Sequence, residues 1–143
     1  MLTFNELSFL SQFLHVRFYM PGECIVRQHC AGSAMYVIES GSVKVILEDA
    51  TQGDVELAVL DAQDTDAFFG EMSLLDDEPR AATVLALEPV KAWCFTRGDL
   101  MSVVHRKPDL GFKLAIQITQ TLMDRLHTSM SEVRRLMRVL KSC

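Results

Sequence analysis

Glu71 and Arg80 are the residues whose types and spacing point most directly to chemistry. A carboxylate and a guanidinium stand nine positions apart, with Gly70 before the acid and Pro79 before the arginine. Phe68 and Phe69 read as a strand that ends in a tight turn at Gly70, where backbone can approach a ligand closely. The residues after Glu71 have room for little more than one helical turn before Asp76-Asp77-Glu78-Pro79 stops it. A short helix on a glycine turn presents backbone N–H groups that suit an anion such as a phosphate. Arg80 would add a fork of donors to the same anion. An ionised Glu71 only accepts, which suits a sugar hydroxyl. The pair can therefore serve one ligand, a phosphorylated sugar. The competing reading is a surface ion pair across a loop, which contributes little.

Other chemistries find less support. The scattered His15, His29, His105 and His127 and the cysteines Cys24, Cys30, Cys94 and Cys143 show no metal-ligand spacing. No nucleophile sits in a recognisable elbow or triad, so no enzyme is expected and free thiols are. At 143 residues, with 49% hydrophobic and 23% charged residues, the chain is one ordinary globular domain. A net charge of −5 speaks against nucleic-acid binding through a general positive field. No apolar run has the length of a membrane span, and Met1-Leu2-Thr3-Phe4-Asn5-Glu6 lacks the pattern of a signal peptide. A cytosolic setting is the expectation.

The elements that must position Glu71 and Arg80 are mainly short strands. A short helix over 4–10 leads into a strand over 13–19, and Met20-Pro21-Gly22-Glu23 reads as a turn. Strands are predicted over 24–27, 34–39, 43–47, 55–60, 83–87 and 90–95, with Ser40-Gly41-Ser42 as a hairpin-type turn. Val43, Val45 and Leu47 alternate with Lys44, Ile46 and Glu48, as in a half-buried strand. Short strands at roughly ten-residue spacing indicate an antiparallel barrel or jelly roll.

From Thr96 the period changes. Thr96-Arg97-Gly98-Asp99 resembles a helix start, giving a short helix over 97–107, and Pro108-Asp109 starts a long one over 108–141. Leu110, Leu114, Ile118, Leu122 and Leu126 recur every four residues and should pack on the helix's own domain at first. Written as heptads, Phe112, Thr119, Leu126, Val133 and Leu140 take one seam position. Ala115, Leu122, Ser129 and Leu136 take the other, most convincingly from Leu122 onward. Thirty helical residues span about 45 Å, more than a small barrel covers, so the second half is expected to meet a partner helix, as in a homodimer. Arg134, Arg135, Arg138 and Lys141 form a solvated basic end that suits the helix dipole.

Three stretches carry a resemblance. Gly32-Ser33-Ala34-Met35-Tyr36-Val37-Ile38-Glu39-Ser40-Gly41-Ser42-Val43-Lys44-Val45, Phe69-Gly70-Glu71-Met72-Ser73-Leu74-Leu75 and Pro79-Arg80-Ala81-Ala82-Thr83 together resemble the cyclic nucleotide-binding domain family. The order and separation of these motifs match, and the resemblance covers residues 16–126. It implies a mainly β fold with C-terminal helices: an eight-stranded antiparallel jelly-roll barrel over 12–95 with a phosphate-binding cassette at 68–83, in one domain over 1–143. It implies that Glu71 takes the ribose 2′-OH and Arg80 the exocyclic phosphate oxygens. Gly70, Met72, Ser73, Ala81 and Ala82 would complete the ligand site. Family members that favour cyclic GMP often carry Thr after the arginine. Ala81 removes that device, so the match leans to cyclic AMP, with cyclic GMP second and no metal. Thr128, Ser129 and Met130 are candidates to meet the base from the last helix. The implied role is a regulatory sensor that moves its C-terminal helix on ligand capture and controls a separate, unidentified effector.

Two departures stand out. Where the family usually has Gly-x-Gly-Asp, this chain has Asp61-Ala62-Gln63-Asp64-Thr65-Asp66-Ala67, which brings three acids towards a phosphate site. The helical region before the first strand is also short. The acidic loop supports the alternative of a degenerate member that no longer binds nucleotide and serves as a dimerisation or interaction module, and the intact Glu71 and Arg80 count against it.

Overall fold

The computed structural model describes residues 2–64, 67–76 and 78–141, so Thr65, Asp66, Asp77 and Cys143 lie outside the description. A first helix, α1 (Phe4–Ser11), begins at a reciprocal cap. The Thr3 hydroxyl accepts from the Glu6 N–H, and the Glu6 carboxylate accepts from the Thr3 N–H. Eight strands follow: β1 (His15–Tyr19), β2 (Cys24–Val26), β3 (Ala34–Ser40), β4 (Ser42–Leu47), β5 (Val55–Asp61), β6 (Phe68–Phe69), β7 (Thr83–Ala86) and β8 (Val90–Thr96).

They form two four-stranded antiparallel sheets, ordered β1-β8-β3-β6 and β2-β7-β4-β5. The single closed barrel expected from the sequence is not formed among the described residues. The β2 and β6 strands, three and two residues long, are too short to zip the two sheets together. The sheets instead bury a shared core of Val26, Ile38, Val43, Phe69, Val84, Ala86, Val90 and Ala92.

Two local expectations are corrected. β3 and β4 are not a hairpin, because Gly41 turns the chain from one sheet to the other. Gly41 has φ +93°, and a Cβ there would stand 2.3 Å from the Pro89 carbonyl oxygen, so the corner closes only around glycine. The simple alternation along β4 also fails. Val43 and Ile46 are buried and Leu47 is exposed, and between Val45 and Ile46 the register against β5 shifts because β5 carries one extra residue there, Leu57.

Two more helices close the fold. α2 (Arg97–Arg106) has Thr96 as N-cap, paired reciprocally with Asp99, and α3 (Pro108–Lys141) starts where Pro108 supplies a helix-ready φ. A second core joins Leu10 of α1, Leu74, Phe95 of β8, Leu100 and Val103 of α2 and Leu110 of α3. Leu74 lies between β6 and β7, so the helical layer rests directly on the stretch that holds Glu71.

Leu114 and Ile118 pack partly on this second core, as the four-residue recurrence suggested. In the first half of α3 the exposed positions differ from the second seam position read in the sequence, whose last member, Leu136, is exposed. Ala115 and Leu122 are half-buried towards the domain. The exposed stripe is Phe112, Ile116, Thr119, Met123, Leu126, Met130, Val133, Met137 and Leu140, with spacings that alternate four and three. From 126 to 141 every residue is exposed. Among the described residues no helix is long and apolar enough to cross a membrane.

Gly41→Ala should cost more than about 1 kcal/mol of unfolding free energy, because it combines a left-handed φ with a backbone clash. Urea denaturation of the two proteins measures this, and equal midpoints would remove Gly41 as a required corner.

Candidate functional site

The site is built from the end of β6 to the start of β7. β6 is a two-residue strand held by β3, with Phe69 opposite Tyr36 and their rings stacked at 5.2 Å. The chain leaves it through Gly70 at φ +80° and enters a 3-10 turn at Glu71–Leu74. The turn is tied by Ser73 N–H to Gly70 C=O (3.1 Å) and by Leu75 and Asp76 N–H groups to Met72 C=O (3.0 and 3.1 Å). Ser73 and Leu74 are buried, while Met72 is exposed.

Arg80 is 9% exposed, so its charge needs partners. Its guanidinium donates from Nη2 to the Ala34 carbonyl (2.7 Å) and from Nη1 to the Gly70 carbonyl (3.3 Å). Room for it comes from glycine on two sides. A Cβ at residue 32 would lie 2.6 Å from Arg80 Nε, and one at residue 70 would lie 2.6 Å from Nη1. Burial pushes the Arg80 guanidinium below its ordinary range, and nearby Glu71 is among the groups that partly offset this. An arginine still keeps its charge there.

The backbone of Arg80 is equally fixed. Its carbonyl accepts from the His29 N–H (2.8 Å), and its N–H donates to the Cys30 carbonyl (3.0 Å). His29 takes a left-handed φ of +68°, uncommon for a residue with a side chain. The same loop is anchored by Thr83, 1% exposed, whose hydroxyl accepts from the Gln28 N–H (2.9 Å) and donates to Glu48 (2.8 Å).

Glu71 is buried and meets a residue that the sequence analysis did not single out. Arg125 of α3 donates to the Glu71 carboxylate at 2.8 Å and to the Phe68 carbonyl at 2.9 Å, and its guanidinium lies 4.1 Å from the Phe68 ring centre. The signal available was an arginine on a helix face that it shares with Thr121, Asp124, Thr128, Ser129 and Glu132. Spacing alone does not reveal that α3 crosses the cassette there.

These groups line a cleft of about 880 Å³. Its floor and one wall are Phe68, Phe69, Gly70, Glu71, Met72, Ser73, Arg80, Ala81 and Ala82, with Ala58 and Leu60 of β5 behind. The facing wall is α3 through Thr121, Asp124, Arg125, Thr128, Ser129 and Glu132. Of the predicted residues, Gly70, Glu71, Met72, Ser73, Arg80, Ala81, Ala82, Thr128 and Ser129 thus share one cleft. Met130 does not line it, because its place on the helix turns it into the exposed stripe. Ser129 is a cleft residue beside the seam rather than a break within it. Among the described residues no group of His, Cys, Asp and Glu could hold a metal ion.

The profile of the cyclic nucleotide-binding domain family matches residues 16–107, well over half of the chain. The chain belongs to this family. It is 29% identical over 120 residues to a cyclic AMP receptor protein from Thermus thermophilus, covering 84% of this chain and 54% of that protein. It is 34% identical over 134 residues to a cAMP-dependent protein kinase regulatory subunit from Hypocrea atroviridis, covering 89% and 26%. A cGMP-dependent protein kinase from Plasmodium berghei is 34% identical over 104 residues, covering 73% and 11%. The chain therefore spans about half of the first relative and a smaller part of the kinases. Among solved structures, a cyclic nucleotide-binding domain from Methylobacillus flagellatus superposes with a TM-score of 0.82 at 26% identity, covering 90% of this chain and 70% of that one.

The acids that depart from the family pattern are only partly in view. Asp61 and Asp64 hold their own turn, with Asp61 N–H donating to the Asp64 carboxylate (3.0 Å) and Gln63 N–H to the Asp61 carboxylate (2.9 Å). Neither lines the cleft. Asp66 lies outside the described residues.

Tyr36, whose charge would act on Arg80, is raised above the usual phenol range by burial, and burial pushes neighbouring Tyr19 up to about 12. The folded state disfavours the Tyr19 phenolate, whereas the unfolded chain ionises near 10.0. The stabilisation is complete below that value and is lost as pH rises towards about 12. In alkaline denaturation, Tyr19→Phe should flatten this loss, and an unchanged profile would mean that Tyr19 does not drive it.

Proposed function

We propose that this domain binds a cyclic nucleotide, cyclic AMP in preference to cyclic GMP, and acts as a regulatory sensor. The observation that carries this reading is the placement of Glu71 and Arg80 in one cleft. A buried acceptor and a glycine-cradled cation there stand among small residues that leave space for a ligand. In this reading Arg80 takes the exocyclic phosphate oxygens, Glu71 the ribose 2′-hydroxyl, and the backbone around Gly70, Met72, Ser73, Ala81 and Ala82 the rest of the cyclic phosphate. Ala81 offers no hydroxyl to a guanine amino group, which favours adenine. Thr128 and Ser129 are the helix residues proposed to meet the base. The strand order of the two sheets supports a jelly-roll classification.

Coupling would run through Arg125. A ribose hydroxyl that bonds Glu71 must share or replace the Arg125 contact, so ligand and α3 compete for one carboxylate. Ligand then biases helix position only by its different affinity for the two arrangements. The effector lies outside this chain, and the proposed setting is the cytosol.

We also propose that α3 forms a parallel homodimer along the exposed stripe. The flanking positions Lys113, His127, Arg134 and Lys141 all lie on one side of it. In an antiparallel pair these would face their own kind. In a parallel pair they face Ala115, Leu122, Ser129 and Leu136. The stripe needs no ligand, which is the specific support for the second reading, a non-binding dimerisation module.

Titration calorimetry with both nucleotides decides between these readings. The expected result is binding of cyclic AMP more tightly than cyclic GMP, with Arg80→Ala at least several-fold weaker. Silence with both at millimolar concentration overturns the binding reading, and an unaltered Arg80→Ala affinity removes the assigned phosphate role. Sedimentation equilibrium should show a dimer that Leu126→Glu converts to monomer. A wild-type monomer would exclude the helix pairing.

A further inference from the structure

Arg97 breaks a local rule. It is the first residue of α2, where the helix dipole favours anions, and the neighbouring Thr96 and Asp99 obey that preference. A cation at this point gains nothing from its own helix, yet its guanidinium is well used. Nη2 donates to the Ser73 carbonyl at 3.3 Å and also to the Asp76 carbonyl. Its backbone N–H donates to the Ser33 carbonyl at 2.7 Å, next to Gly32, which is pressed against Arg80.

Ser73 and Asp76 lie in and just beyond the 3-10 turn that begins with Glu71. Carbonyls at the end of a helical turn lack partners within it and carry its negative pole, so a cation fits there. The turn is therefore held at both ends by arginines of the helical layer, Arg125 at the Glu71 carboxylate and Arg97 at the later carbonyls. Arg97 does not line the cleft, whereas Ser73 and Asp76, whose carbonyls it holds, do.

We propose that Arg97 is a positioning residue for ligand capture. By gripping Ser73 and Asp76 it fixes the turn that carries Glu71 and ties that turn to α2. A lysine preserves the charge but lacks the planar fork that spans two carbonyls, so the two substitutions separate charge from geometry. This inference rests on the proposed binding function and goes beyond it by naming a residue outside the cleft that sets affinity.

The test uses the full chain as wild type, Arg97→Ala and Arg97→Lys. Hydrogen exchange without ligand and calorimetric titration with cyclic AMP are the two readouts. The expected result is about tenfold weaker binding for Arg97→Ala and a partial loss for Arg97→Lys. Faster exchange should be confined to the amides of Ser73, Leu75 and Asp76, while the sheets keep their protection. Wild-type affinity together with unchanged exchange in Arg97→Ala overturns the proposal. So does faster exchange spread evenly over the domain, which would make Arg97 a general stability residue. If the wild type binds neither nucleotide, the functional reading fails, and local exchange at 73–76 still decides whether Arg97 holds the turn.

Discussion

A guanidinium taken out of water must be solvated by the protein, and much of this fold can be read as the solution to that requirement at Arg80. Desolvating such an ion costs several kcal/mol or more unless donors find acceptors. The acceptors here are backbone carbonyls from two separate places, Ala34 on β3 and Gly70 at the end of β6. β3 and β6 must therefore pair, and Gly32 and Gly70 must lack side chains. The loop at Gln28, His29 and Cys30 must be locked by Thr83 and Glu48 so that the Arg80 backbone stays in place. Fixed carbonyls are poor charge-neutralisers, so the guanidinium keeps an unspent demand for a true anion.

The helical layer answers a different need. Leu74 links the cassette to a second core shared by α1, α2 and α3, and apolar contact of this kind has no direction. Direction is added by the two arginines that reach the cassette turn from α2 and α3. Hydrophobic burial supplies the adhesion, and charge-assisted hydrogen bonds supply the register.

Much of this was legible in the chain because it depends on short-range chemistry. Gly70, Pro79 and the pair Glu71 and Arg80 lie within eleven positions, and a tight turn leaves few ways to arrange them. Pro108 and the change of period at Thr96 announced the helices for the same reason. What could not be read depends on packing between distant segments. Arg125 lies 54 positions from Glu71, and nothing in either neighbourhood announces the contact. The bulge in β5 hides because nothing in Val55–Asp61 marks Leu57 as an extra residue, and pairing with β4 reveals it. Leu122 and Met123 are both apolar, so sequence alone does not say which faces the domain, and the half-buried Leu122 beside the exposed Met123 does.

The exposed half of α3 has a mechanical consequence. Residues 126–141 extend the helix roughly 24 Å beyond the Arg125 contact at the standard rise. A rigid arm of that length turns small rotations into large displacements: a tilt of about 10° at Arg125 would carry Lys141 roughly 4 Å sideways. In the proposed coupling Arg125 would serve as a fulcrum, and a hydrogen-bond exchange at Glu71 would be geometrically magnified towards the far end of α3.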